Sequence, residues 1–135
     1  MRLSATDAHR HSATPRTRYA FLTLPDYSMI ALTNAIEPLR MANRVSGQGA
    51  YEWLVVTPDG EPVTASNGLM MTPTRRLADA PDVDMVFVCG GVNVREAVSP
   101  ALVNVLRRLA ARRMPLGALC TGGYALAQAG LLDGY

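Results

Sequence analysis

Cysteine is scarce in this sequence, and no apolar run is long enough to cross a membrane. Only two cysteines, Cys89 and Cys120, occur in 135 residues, and no secretory leader precedes them. Disulfide-stapled extracellular proteins carry such a leader, so we expect this protein in a reducing cytoplasm. A membrane-spanning helix needs about 20 consecutive apolar residues. We therefore expect a soluble, cytoplasmic protein without a membrane partner.

A strong charge of either sign is also missing. The 13 basic and 11 acidic residues leave a net charge of +2, and five of the basic residues lie in the first forty positions. No concentrated basic face is visible, so this segment is not expected to bind nucleic acid itself. The hydrophobic content of 49% is ample for one globular core.

The beginning of the chain mixes Ser, Thr, His, Arg and Pro without an apolar period. We expect residues 1–17 to form a disordered leader and residues 18–135 to form the folded domain. His9 and His11 lie near Asp7, but no further cluster of ligand-type residues stands at a spacing typical of a metal site. The sequence therefore predicts no metal site and no cofactor.

Apolar runs of strand length alternate with helical patterns in the rest of the chain. Strands are predicted at residues 19–24, 51–57, 63–65, 84–89 and 116–119. Helices are predicted from Ser28 up to a loop at residues 43–49, over residues 100–113, and over residues 124–129. Alternation of this kind predicts an α/β fold with an open, mostly parallel sheet.

Two of these helices have features that bear on their role. Pro38 lies inside the first helix, where it should bend or restart the coil. The second helix has a clean apolar stripe, and its remaining arginines are interpreted as a solvated face. These arginines are Arg107, Arg108, Arg112 and Arg113.

Ligands in open α/β sheets bind outside the carboxyl ends of the strands. Three loops match this position: residues 25–29, residues 90–94 and the corner at Cys120. Around that corner, L-G-A-L-C-T-G-G-Y-A-L-A-Q-A is interpreted as a strand, a tight turn and an Ala-rich helix. Cys120 would sit as at a nucleophile elbow, where helix amides bind an anion and the helix dipole favours a thiolate. The alternative is a small buried cysteine that fills a strand end.

Two segments together resemble a known family. V-F-V-C-G-G-V-N, residues 86–93, precedes L-G-A-L-C-T-G-G-Y-A-L-A-Q-A-G-L-L-D-G, residues 116–134. This combination is similar to the ThiJ/PfpI branch of the class I glutamine amidotransferase-like superfamily. L-P-D-Y-S-M-I-A-L-T-N-A-I-E-P-L-R-M-A-N, residues 24–43, resembles the amino-terminal sensing domain of GlxA-type regulators, which belong to the AraC group of transcription factors.

The resemblance implies a flavodoxin-like three-layer sandwich, a ligand pocket at the elbow and a homodimer. It also implies DNA binding through a carboxy-terminal helix-turn-helix domain that is absent from this sequence. By the same comparison the chain covers roughly two thirds of a sensing domain and is truncated at its carboxy-terminal end. The I-E-P-L-R-M-A-N segment resembles regulators that respond to amino acids or to quaternary amines such as betaine and carnitine.

Two departures from the family pattern separate a sensor from an enzyme. Hydrolytic and hydratase relatives carry an acid near the start of the first helix, where this sequence has Ile30 or Ala31. Asp26 lies four or five residues too early, and Glu37 lies about two turns further along the helix. The family's histidine, which follows the L-L-D-G segment, is not in the sequence. A cysteine without a base and an orienting acid is a poor covalent catalyst, so we predict no catalytic residue.

The leading hypothesis is a non-catalytic sensing domain that binds a small-molecule effector. Its predicted ligand-binding residues are Cys120, Thr121, Gly122, Gly90, Gly91, Tyr27 and Tyr124. The two tyrosines would form part of an aromatic box for an ammonium group, with plain packing as the alternative. A plain tight turn is likewise the alternative for Gly90 and Gly91.

Two other functions stay open. The first is an amidase- or hydratase-type enzyme with Cys120 as nucleophile and with the amides of Gly91 and Thr121 or Gly122 around the oxyanion. The second is redox sensing by Cys120, with Cys89 either as its partner or as a buried structural thiol.

Overall fold

A computed structural model describes residues 16–135. Positions 1–15 of the predicted leader, with His9 and His11, lie outside these residues, and Thr17 already belongs to the first strand. The strands are β1 (Thr17–Thr23), β2 (Tyr51–Thr57), β3 (Val63–Thr64), β4 (Met70–Met71), β5 (Arg75–Arg76), β6 (Met85–Cys89) and β7 (Leu116–Leu119). The helices are α1 (Met29–Ser46), α2 (Val94–Ala97), α3 (Pro100–Ala111) and α4 (Gly122–Gln128), with a 3-10 turn at Leu77–Asp79.

Five of the strands form one parallel sheet in the order β5-β2-β1-β6-β7. β3 and β4 pair as a separate antiparallel hairpin. The ends of the four longer strands, β1, β2, β6 and β7, each fall within two residues of the predicted ends. This arrangement confirms the α/β class and the mostly parallel sheet.

Both faces of the sheet are covered, and successive residues of the central strands point to opposite faces. In β6, Val86 and Val88 pack with α3 and α4, whereas Phe87 and Cys89 pack with α1. The core on the α3 and α4 side consists of Ala20, Leu22, Leu24, Val56, Val86, Val88, Leu102, Leu106, Ala125, Leu126 and Ala129. The core on the α1 side consists of Phe21, Tyr27, Leu32, Val55, Ala65 and Cys89. The layers are therefore helix, sheet and helix, the three-layer sandwich that the resemblance implied.

The two long helices begin at the residues that their sequences favour. The Ser28 hydroxyl accepts a hydrogen bond from the Ala31 amide at 3.3 Å, and Ser99 caps α3 by accepting from the Leu102 amide at 3.1 Å. α1 ends at Gly47, whose φ of 68° is the left-handed conformation typical of a helix end. These caps fix where each helix leaves the sheet.

α1 is longer than the sequence predicted. It runs through Pro38 without restarting and includes positions 43–46, which were predicted to be a loop. Asn43 accounts for the extra turn. Its side-chain amide donates a hydrogen bond to the Tyr51 carbonyl at 2.8 Å and accepts one from the Tyr51 amide at 3.0 Å. The local signals for a loop are thus overridden by a contact with β2.

Four short elements had no counterpart in the prediction: β4, β5, the 3-10 turn and α2. Each has fewer than five residues, which is too short for a periodic pattern to show.

Along residues 16–135, no helix combines the length and the apolar character that crossing a bilayer requires.

Candidate functional site

The three loops that were predicted to border a ligand meet at the carboxyl edge of the sheet. The Ser28 amide donates to the Gly90 carbonyl at 3.0 Å, and Tyr27 forms an antiparallel bridge with Gly91. The Thr121 hydroxyl donates to the Gly91 carbonyl at 2.6 Å. The β1–α1 loop, the β6–α2 loop and the corner at Cys120 are therefore joined by direct hydrogen bonds.

Gly90, Gly91 and Gly122 allow this packing because their surroundings leave no room for a side chain. A Cβ on Gly122 would overlap a carbonyl oxygen of β6, and a Cβ on Gly91 would overlap the Asp26 carbonyl oxygen. A Cβ on Gly90 would lie 2.6 Å from the Thr121 hydroxyl oxygen. None of the three glycines has a positive φ. Close approach of neighbouring backbone, rather than a tight turn, is therefore the reason for glycine here.

Cys120 forms the corner between β7 and α4, and it is exposed with a φ of 52°. This left-handed conformation costs a residue other than glycine roughly 1–2 kcal/mol. Such strain persists only where the surrounding structure imposes it, and it is concentrated at functional sites. The alternative that Cys120 is a buried residue filling a strand end is wrong, because its side chain is exposed at a bend.

The neighbouring loops contain two further residues with a positive φ, Asp26 at 59° and Asn93 at 55°. The Asn93 side-chain amide donates to the Asp26 carboxylate at 3.3 Å, which links these two loops. Asp and Asn adopt the left-handed conformation more readily than other residues, whereas Cys does not share this preference. Left-handed residues in three adjoining loops distinguish this edge of the sheet as a candidate site.

The acidic residues closest to the family's acid position have other partners. Ile30, the second residue of α1, is 69% exposed and supplies no polar group. Glu37 pairs with Arg40 at 2.6 Å on the exposed side of α1, and the hydrogen bond from Arg40 lowers the Glu37 pKa. Within residues 16–135, no carboxylate is hydrogen-bonded to the Cys120 sulfur.

The Tyr27 ring lies in the core rather than at the surface of the site. Its exposed fraction is 0%, and it packs with Phe21, Leu32 and Cys89. Its hydroxyl has no hydrogen-bond partner in the described part of the chain. Burial raises the Tyr27 pKa, and the charge of an ionised Cys89 raises it further. A ring without exposed surface cannot contribute to an aromatic box that is open to solvent, so packing is the role of this ring.

The Tyr124 ring is only partly buried, at the start of α4 beside Cys120. The Arg95 guanidinium of α2 lies 6.0 Å from the centroid of this ring, within the range of a cation–π interaction. The sequence prediction included Tyr124 but missed Arg95, because α2 is too short to be recognised from its pattern. A cation is thus already present at the ring that was predicted to face an ammonium group.

The two cysteines differ sharply in their surroundings, and both are free. Cys89 is fully buried, and its thiol donates a weak hydrogen bond to the Phe87 carbonyl at 3.8 Å. Burial raises the Cys89 pKa to about 12, so it is a structural thiol.

Among the side chains of residues 16–135, no group of three or more His, Cys, Asp and Glu is placed to hold a metal ion.

Comparison with known proteins gives the class of the molecule. The model of the DJ-1/PfpI family matches residues 19–135, which is most of the chain. The chain therefore belongs to the DJ-1/PfpI family. Among solved structures it is similar to an AraC family transcriptional regulator from Pseudomonas putida, with a TM-score of 0.77 and 32% sequence identity over 88% of this chain and 64% of that chain. The flavodoxin-like sandwich predicted from the sequence is confirmed.

Curated relatives include transcriptional regulators and one enzyme. The chain is 49% identical over 115 residues to the HTH-type transcriptional regulator GbdR of Pseudomonas aeruginosa, covering 85% of this chain and 31% of GbdR. It is 33% identical to the HTH-type regulator GlxA of Rhizobium meliloti, covering 86% of this chain and 36% of GlxA. It is also 31% identical to isonitrile hydratase of Pseudomonas putida, covering 84% of this chain and 48% of the hydratase. The chain thus spans about a third of the length of the regulators that it matches.

Proposed function

We propose that this chain is the ligand-sensing part of an AraC-type transcriptional regulator and that it binds a small metabolite at the Cys120 elbow without covalent chemistry. The observation that carries the proposal is the exposed, left-handed Cys120 without a hydrogen-bonded carboxylate in residues 16–135. The similarity to GbdR and GlxA supports a regulator. A cysteine without a base and an orienting acid is a poor covalent catalyst, which favours binding of the ligand over covalent attack on it.

The proposed binding residues are Cys120, Thr121, Gly122, Gly90, Gly91 and Tyr124, and we add Arg95 because it lies beside the Tyr124 ring. The glycine contacts and the bond from Thr121 to Gly91 hold the loops in one arrangement, so little ordering is needed when a ligand binds. Backbone amides at the elbow and the Arg95 guanidinium suit a carboxylate. We therefore propose an amino acid or a quaternary amine that carries a carboxylate, such as betaine or carnitine.

The remaining parts of the regulator are also proposals. In the proposed full-length protein, a helix-turn-helix domain binds DNA and two sensing domains form a homodimer. The effector then changes how the two DNA-binding domains are presented. The described residues contribute the sensing step alone, which agrees with the absence of a concentrated basic face from the sequence.

Isothermal titration of the chain with glycine betaine, carnitine and arginine tests the binding site. We expect binding of at least one of these compounds, and we expect Thr121→Val to weaken it about tenfold, because the variant removes a hydrogen bond that fixes the loops. Thr33→Val is the matched control: it removes an equivalent hydroxyl-to-carbonyl bond on α1, away from the elbow. If Thr121→Val bound the ligand as tightly as Thr33→Val does, the ligand would bind away from the elbow, and the proposal would be contradicted.

The second candidate function is a cysteine-dependent hydratase or amidase. The left-handed Cys120 favours it, because nucleophile elbows hold their reactive residue in a similarly strained conformation, and so does the similarity to isonitrile hydratase. Mass spectrometry of the ligand after incubation separates the two functions. A ligand that is recovered unchanged supports the sensor. A product that the parent chain forms and the Cys120→Ala variant does not form supports the enzyme.

A further inference from the structure

A cavity of about 440 Å³ lies on the opposite side of the sheet from α1, away from the Cys120 elbow. It opens between α3 and the segment that leads from the 3-10 turn to β6. Its apolar wall includes Leu77, Ala80, Val83, Val105, Leu109 and Met114. Ligand pockets have volumes of about 300–1,000 Å³ and mostly apolar linings, so this cavity is large enough for a small molecule.

The charged groups along this cavity are predominantly positive. Arg108, in the last turn of α3, and Arg112, the residue that directly follows α3, both line the cavity. Neither makes an ion pair with a carboxylate of residues 16–135. Asp82 is the acidic residue on the opposite wall. The arginines are thus placed where an anion would meet them next to an apolar surface.

We propose that this cavity binds an amphipathic anion, a medium-chain alkyl carboxylate, as a second ligand independent of the elbow site. The alkyl chain would pack on the apolar wall, and the carboxylate would accept hydrogen bonds from Arg108 and Arg112. Guanidinium groups match a carboxylate with two parallel bonds, which gives a preference for an anion over a neutral or cationic head group. The sequence predicted these arginines as an exposed face, and both are exposed. It did not indicate the cavity beside them, because the segment that forms the other wall is distant in sequence.

The proposal is tested by titrating the chain with octanoate and following amide shifts by NMR. We expect shifts at residues that line the cavity, tighter binding by up to roughly fourfold for each added methylene from hexanoate to octanoate, and much weaker binding of octylammonium. Equal binding of octanoate and octylammonium would overturn the proposal, because it would leave the arginines without a role. Absence of octanoate binding would overturn it as well.

Three variants separate this cavity from other sites. Arg108→Gln and Arg112→Gln should each weaken octanoate binding by about tenfold or more. Arg113→Gln is the matched control, since Arg113 is exposed and adjacent in sequence but does not line the cavity, and it should change nothing. Cys120→Ser should also leave octanoate binding unchanged. A loss of octanoate binding in Cys120→Ser would assign the ligand to the elbow and overturn the proposal without affecting the proposed sensor function.

Discussion

The Arg95 guanidinium lies 6.0 Å from the centroid of the Tyr124 ring, and this pair links α2 to α4 beside Cys120. Within residues 16–135 Arg95 makes no ion pair, so its charge is available to a ligand. An aromatic ring that already carries a cation on one face is a poor site for a second cation. In the proposed sensor we therefore assign Arg95 to the carboxylate of the ligand.

Replacing Arg95 should separate binding from stability. We expect Arg95→Gln to weaken the binding of glycine betaine about tenfold, because a hydrogen bond to a charged group is lost, while the melting temperature stays nearly unchanged. Arg44→Gln changes another exposed arginine, in the last turn of α1; it is the control and should not affect binding. Isothermal titration measures both, and tighter betaine binding by Arg95→Gln would show that Arg95 competes with the ligand's cation.

The two glycines at the start of α4 should respond in opposite ways to alanine. Gly122→Ala should lower the free energy of unfolding by about 3 kcal/mol, because the added Cβ overlaps the Val88 carbonyl oxygen. Gly123→Ala should be neutral or stabilising by up to about 1 kcal/mol, since its Cβ would meet nothing closer than the Ala118 Cβ at 3.9 Å and alanine favours helix. Urea unfolding of both variants checks this, and equal destabilisation would contradict the packing described at the elbow.

Part of this arrangement could be predicted from the sequence. Strand β6 was predicted because its residues are apolar on both faces, and the corner at Cys120 because two glycines follow a short apolar run. The local signals could not reveal the closeness of Gly91 to Asp26 or of Arg95 to Tyr124, because these contacts depend on how distant loops pack. Tyr27 was predicted to face the ligand because it lies in the predicted loop at residues 25–29, yet its ring packs in the core, and this too depends on contacts with distant residues.

The Tyr27 hydroxyl has no hydrogen-bond partner among residues 16–135, and this should lower the stability of the native state. We expect Tyr27→Phe to raise the free energy of unfolding by about 1 kcal/mol, because a buried hydroxyl without a hydrogen bond carries a desolvation cost. Tyr135→Phe, at a fully exposed tyrosine, is the control and should have no effect. Chemical denaturation gives both values. A clear loss of stability in Tyr27→Phe would mean that the hydroxyl has a partner in solution.

Thiol reactivity should distinguish the two cysteines. In the native chain, a chromogenic disulfide reagent at pH 8 should react quickly with one thiol per chain, and with both after unfolding, because Cys120 is exposed and burial raises the Cys89 pKa to about 12. Cys120→Ser should remove the fast native reaction and leave the slow one. A rapid reaction of the native Cys120→Ser chain would show that Cys89 is accessible to the reagent. That result would support redox sensing by Cys120 with Cys89 as its partner.

An ion-pair cluster on β1 and β2 should make stability depend on pH in the acid range. The Glu52 carboxylate accepts hydrogen bonds from Arg16 and from Arg18, each at 2.6 Å, and these bonds lower the Glu52 pKa. A carboxyl whose pKa is lower in the folded state stabilises that state above the ordinary Glu pKa of about 4.3, and the contribution is lost as the pH falls through the lowered value.

Glu52→Gln should therefore melt below the parent chain at neutral pH, and the difference should shrink as the pH falls below about 4. Added salt should also reduce the difference, because the three side chains are partly exposed and screening weakens their attraction. Glu61→Gln is the matched control, since Glu61 makes no ion pair among the described residues. Melting curves over a pH series measure the effect. If the difference between Glu52→Gln and the parent persisted at pH 3, the hydrogen bonds would be stabilising without the charge, and the assignment of the effect to ionised Glu52 would fail.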